Sequence, residues 1–416
     1  MKVRLLSPLI IALLYLATPG TGLSQEPTLK IDFSNLAESP KVNPRIGFLG
    51  GLRDETSDAQ VQDLHPALFR IGHQFRGRIK EGLNKAIERV EGFGAKYKLV
   101  MSDLIDSQPK DWDKYEADVK KLVLSTGAHA KTILWEPVNE PDVSYKPIDK
   151  YYELYGHAFK ALREAEKEAQ ICGPSFAFPD YKKYKAFLDY CHEHQLECNA
   201  LCWHYTGWDP NIPEQSKWNL GKLREFITEF KDQKIQEIHC DEWGAGSDKP
   251  GHLHPGRMIL WFYYLENVYK VDRACRANWG KADDYLGGTI NPQGETYPVY
   301  FAFRWYGATR DQTRVVTEGN SKSVACLASK DNDHREILLG SILKGSTGVV
   351  LELKNVGLDK FKTTVQQLPN TNLESPITES GIAAYKDCKV EQINDLVRIT
   401  LDKVEENEAF RVVLSK

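Results

Sequence analysis

The chain has 416 residues, enough for one large domain with a smaller one or for two to three average domains. Its 41% apolar and 27% charged residues are ordinary for a soluble globular protein. A formal charge of −4, with no basic run, argues against a nucleic-acid partner.

At the N-terminus Lys2 and Arg4 precede an apolar run from Leu5 to Ala17, and small residues follow up to Ser24. That is the order of a secretory leader, and the apolar run is too short to span a bilayer. Residues 1–25 are therefore expected to be removed, leaving a secreted or periplasmic chain with no membrane attachment; an uncleaved anchor is the alternative. Loss of Lys2 and Arg4 takes the charge from −4 to about −6. Residues 26–45, with "TLKIDFS", are expected to add a strand to the sheet structure that ends the chain.

From residue 46 short apolar runs alternate with amphipathic stretches. The runs are "RIGFLGG", "ALFRIG", "KYKLVMSDL", "KTILWEPV", "QICGPSFAF", "CNALCWHY", "QEIHCDEW" and "RACRANWG". Between them lie helical patterns such as "IKEGLNKAIERVEGF", "KYEADVKKLVLSTG" and "GRMILWFYYLENVY", and "YPVYFAFRWYGA" supplies the eighth helix. Eight repeats of this size predict a (β/α)8 TIM barrel over 46–310. A doubly wound open sheet is the competitor, but no Gly-rich phosphate loop follows the first run. Over 311–416 the rhythm becomes short alternating runs with polar turns, "KSVACLASK", "REILLGSILK", "GVVLELKNV", "TTVQQLP", "LVRITLDKV" and "AFRVVLS", which predict a C-terminal antiparallel β-sandwich.

The eight cysteines are too sparse for a disulfide scaffold. Cys172, Cys202, Cys240 and Cys275 sit in apolar runs and read as buried thiols, while Cys191 and Cys198 in "CHEHQLEC" could bridge a helix end to the next strand. His192 and His194 share that stretch, but the spacing matches no zinc pattern, so no metal and no cofactor is expected.

The fourth run ends unusually, in "ILWEPVNEPD", with carboxylates and an amide where turn residues are ordinary. Barrel enzymes place their chemistry at the C-terminal ends of strands. Glu140 falls there, and Glu242 closes the seventh run, nearly opposite. Two carboxyls about 5–5.5 Å apart, one neutral and one anionic, are what retaining glycoside hydrolysis requires. Asp241 is the rival to Glu242; the period of two along a strand would put it on the opposite face.

"WEPVNEP" resembles the W-E-x-W-N-E-P motif of glycoside hydrolase family 39, whose members include β-xylosidases and α-L-iduronidases, and more broadly the N-E-P signature of glycoside hydrolase clan A. Val138, Asp142 and "DEWGAG" depart from the family pattern. The resemblance implies a retaining glycosidase acting on a plant, algal or microbial glycan, with Glu140 as acid/base and Glu242 as nucleophile. Asn139 would bind the sugar 2-hydroxyl, Arg70 would touch the nucleophile, His204 or Tyr205 would lie against it, and Trp279 would floor the sugar subsite. His73 could reach a sugar hydroxyl, whereas Trp135 and Trp203 read as core. Lys249, His252, His254 and Arg257 after the seventh run make either a cationic rim for an anionic sugar or an ordinary solvated loop. Repulsion between the paired carboxylates is expected to raise the pKa of the one that keeps its proton. A transglycosylase or an inactive carbohydrate-binding protein on the same barrel are the alternatives; sugar, anomer and exo or endo cleavage stay open.

Overall fold

The structure is a computed structural model and describes residues 26–41, 45–50, 52, 54, 56–72, 79–207, 214–244, 253–277 and 286–416. Residues 1–25, read above as a leader, and His73, Lys249, His252 and Trp279 lie outside the described residues. Eight parallel strands close a barrel: Ile46–Leu49, Leu68–Ile71, Lys96–Val100, Leu134–Glu136, Gln170–Phe176, Ala200–Tyr205, Glu237–Trp243 and Arg273–Arg276. Each falls inside one of the eight apolar runs, and closure comes from the first strand pairing with the eighth, Ile46 against Ala274. Helices fill the connections because their apolar residues recur on one face. Trp112–Ser125, for example, buries Tyr115, Val119, Leu122 and Val123 and starts on Asp111, whose carboxylate accepts the Lys114 N–H. No helix among the described residues is long and apolar enough to cross a membrane.

The inside of the barrel changes character along its axis. Leu134, Cys172, Ala200 and Cys202 form a small apolar plug. Arg70, Lys98, Glu136, His204, His239 and Asp241 are also buried, although such groups are costly to bury unless paired. Pairing in register sets Arg70 beside Lys98 and Lys98 beside Leu134, so these side chains share the inner face.

One irregularity decides the site. Trp203 of the sixth strand pairs with Cys240 of the seventh, but the next residue, His204, pairs with Glu242. Asp241 is the extra residue of a bulge, which lets two successive side chains project to the same side. Asp241 reaches Lys98 and Glu242 reaches Arg70, both inside the barrel. The expectation that strand parity separates the two carboxylates is therefore corrected.

The second sheet has ten strands and carries Thr28–Lys41 near its middle. That strand runs parallel to Thr347–Lys354; the other neighbours pair antiparallel. Its two flanks share one apolar core that includes Phe33, Cys326, Leu351, Ile399 and Phe410, which makes it a sandwich. It docks on the helix Pro255–Tyr263, where Gly256 donates its N–H to Asn407. A Cβ at Gly256 would stand 2.1 Å from the Glu408 carbonyl oxygen, so only glycine permits this approach. Strands Thr313–Glu318 and Cys388–Ile393 join the sheet without having been anticipated. Cys191 and Cys198 are both buried free thiols, which corrects the proposed bridge; Cys172, Cys202, Cys240 and Cys275 are buried and free as expected.

Candidate active site

The fourth strand ends at Glu136, and Pro137–Glu140 carries the chain over the barrel mouth. Glu140 adopts φ +48°, a left-handed conformation that a non-glycine residue rarely holds unless its surroundings impose it. The surroundings are visible. Its N–H donates to the Ser175 carbonyl, and its own carbonyl receives the Val143 and Ser144 N–H groups as the helix Pro141–Ser144 begins. Asp142 ties this loop to the next one by accepting the Ala177 N–H at 2.9 Å and pairing with Lys183 at 2.9 Å. Such over-determination fixes the direction of the Glu140 carboxylate.

Arg70 organises the opposite wall. Its guanidinium is buried and spends its donors on three acceptors: Glu136 through Nε at 2.7 Å and Nη2 at 2.5 Å, Glu242 Oε1 through Nη1 at 2.7 Å, and Asn139 Oδ1 through Nη2 at 2.6 Å. The planar fork suits this task because it donates in two fixed directions and keeps its charge. Burial works against that charge, but the neighbouring carboxylates outweigh it and raise the Arg70 pKa well above the usual value. Asn139 has its oxygen committed to Arg70, which leaves its amide N–H groups as the side chain's donors.

His204 spans the two carboxylates. Its Nδ1 lies 2.9 Å from Glu140 Oε1 and 3.8 Å from Glu242 Oε1. An oxygen of each carboxylate stands within 4.8 Å of the other and of this nitrogen. The His204 hydrogen bond is the main reason the Glu140 carboxyl sits below its ordinary range; partial burial opposes it, and the charges of His204 and Arg70 add to it. The expectation that repulsion would hold this carboxyl up is thus corrected. Replacing His204 by Leu is expected to move the Glu140 pKa upward, read as the midpoint of its carboxyl carbon in a 13C NMR titration. A midpoint that stays put or falls would contradict this account.

Asp241 is not available for chemistry at the mouth. It is fully buried and accepts two hydrogen bonds from Lys98 Nζ, each 2.6 Å, while the same ammonium lies 3.1 Å from Cys202 Sγ. By spacing alone Cys202, His239 and Asp241, or Glu136, His204 and Asp241, could gather round an ion. Lys98 and Arg70 already answer those carboxylates. Glu136 and Lys98 were missed in the sequence; the alternation of inward residues along their strands was the available signal.

The remaining expectations divide. The Tyr205 ring packs 5.8 Å from Phe178 and 5.9 Å from Trp261. Trp135 and Trp203 are core, each fully buried. His192 is exposed beside Asp232 and His194 is exposed over Tyr190. Of the four cationic residues after the seventh run, two are described. Burial, helped by Arg257, pushes the His254 pKa down to about 4, so it is neutral at pH 7, and Arg257 donates to Asn407 of the sandwich.

No known protein-family profile matches this sequence, and no curated protein matches it either. Solved structures do. The N2152 protein of Neocallimastix frontalis aligns with a TM-score of 0.77 at 17% identity, over 94% of this chain and 99% of that one. A glucosidase from Croceicoccus marinus aligns with a TM-score of 0.67 at 14% identity, over 94% and 99%. A family 39 β-xylosidase from Caulobacter crescentus aligns with a TM-score of 0.64 at 15% identity, over 94% and 100%. The chain shares with them the parallel eight-stranded barrel joined to a β-sandwich.

Proposed function

We propose that the protein is a retaining glycoside hydrolase in which Glu242 attacks the anomeric carbon while Glu140 protonates the leaving oxygen, and Glu140 then deprotonates the water that releases the sugar from Glu242. One observation carries the reading: two carboxylates from opposite barrel strands stand within 4.8 Å, one on an arginine and one on a histidine. Oxygens that close favour direct attack, for which the carboxyls stand about 5–5.5 Å apart, over the water-mediated route of an inverting enzyme, which needs about 6.5–9.5 Å. Glu242 is nearly buried and takes a hydrogen bond from Arg70, which directs its carboxylate. Glu140 is the more exposed of the two, as a group exchanging protons with leaving alcohol and water should be. Asn139, oriented by Arg70, is placed to donate to a hydroxyl of the sugar held between them. The fold shared with a β-xylosidase and a glucosidase favours a neutral pyranoside, xylosides first, and the leader supports export.

Because Glu140 is held below its ordinary range in the free site, the population able to act as acid shrinks as pH rises. The expected profile of kcat/KM therefore falls from acidic toward neutral pH, since that ratio reports the free enzyme. The experiment is a panel of aryl xylosides, arabinosides, glucosides and uronides, with the first-formed anomer read by NMR. Hydrolysis with net retention supports the reading. An inverted product, or no hydrolysis of any member, defeats it.

A further inference from the structure

We infer that Phe178 and Tyr205 form an aromatic platform for the leaving group, so that the preferred substrate carries a second sugar ring there; this rests on the hydrolase reading above. Phe178 is a large apolar side chain left 42% exposed, and its ring meets Tyr205 edge-on at 5.8 Å and 62°. Tyr205 leans in turn on the fully buried Trp261 at 5.9 Å, so the pair rests on rigid core. Val143, 59% exposed on the helix that follows Glu140, adds apolar surface on the same rim.

The position of the pair gives it a role. Ser175 receives the Glu140 N–H, Ala177 is tied to Asp142, and Phe178 is the next residue along. Tyr205 directly follows His204, whose ring bonds the Glu140 carboxylate. Both residues thus stand at or just past the ends of the fifth and sixth strands, next in the chain to the groups that hold Glu140, whereas Arg70 lies on the second strand. Glu140 delivers its proton to the leaving oxygen, so the leaving group must extend on the Glu140 side. A pyranose presents a face of C–H groups that packs against aromatic rings, whereas fluoride or a small alcohol gains nothing from them. Exposure also means that replacing Phe178 should cost the fold little.

The test compares the full-length wild type with Phe178→Ala and Phe178→Trp on two donors with the same glycone, a disaccharide and a glycosyl fluoride. Phe178→Ala is expected to lower kcat/KM for the disaccharide roughly three- to tenfold, mostly through KM, the scale of one aromatic contact. The fluoride should react unchanged, and Phe178→Trp should restore the disaccharide. An equal loss on both donors, or none on the disaccharide, overturns the platform while leaving the hydrolase reading intact. A wild type that cleaves neither donor overturns the hydrolase reading and the platform with it.

Discussion

Glu242→Gly is expected to abolish hydrolysis, by on the order of 10⁵-fold in kcat, because it removes the proposed nucleophile. Asp241, its neighbour, cannot substitute while it is locked to Lys98 inside the barrel. Added azide should fill the space vacated by the carboxylate and attack directly, giving a glycosyl azide of inverted configuration. Glu140→Ala should behave differently. Losing the general acid costs about 10²- to 10⁴-fold for a poor leaving group, yet an acidic phenol needs little protonation and its glycosylation step should largely survive. Azide then attacks the trapped glycosyl-enzyme without a general base and gives the retained azide. Product stereochemistry, read by NMR, separates the roles independently of rates. Interchanged azides would reverse the assignment of Glu140 and Glu242.

Most of the scaffold is legible because it follows from periodicity. The eight runs name the eight barrel strands, and the alternating runs after residue 310 name most of the sandwich. The edge strand Cys388–Ile393 escapes because most of its residues are exposed, so no buried face imposes alternation. Glu140 and Glu242 are legible because an apolar run ending in a carboxylate is unusual. Arg70 was placed by resemblance alone, since nothing local says that its guanidinium faces inward. Glu136 was passed over although it stands in the same motif as Glu140; its role depends on Arg70, 66 residues earlier. The bulge at Asp241 has no Gly or Pro to announce it and arises from the partners it serves. Charge pairing across the barrel overrode the local period of two.

Lys98 makes the strongest case for that override, and its replacement by Met should damage the fold severely. "KYKLV" belongs to the third apolar run, yet Lys98 within it is fully buried with its ammonium on Asp241. Burial alone would raise the Asp241 pKa, but Lys98 first, then Arg70 and the nearby histidines, reverse this and hold it far below its ordinary value. Lys98 is likewise held charged, its desolvation outweighed chiefly by Asp241. The depressed Asp241 contributes stability above its unfolded pKa of about 3.9, lost as pH falls through the lower folded value. The raised Lys98 contributes stability below its unfolded pKa of about 10.4, lost as pH rises through the higher folded one. The pair therefore acts across the whole range between. In Lys98→Met the remaining carboxylate is buried without its main partner, a loss of about 3–5 kcal/mol at neutral pH. Its folded pKa then lies above the unfolded one, so the variant should lose stability as pH rises from about 4, opposite to the wild type. Urea denaturation between pH 3 and 8 should show the gap narrow toward the acid end. Lys98→Met with Asp241→Leu removes both charges and should recover most of the loss, since a buried pair replaced by apolar groups of similar volume is often neutral. A gap independent of pH, or a double variant as unstable as the two single losses added, would show that the fold does not rest on this pair.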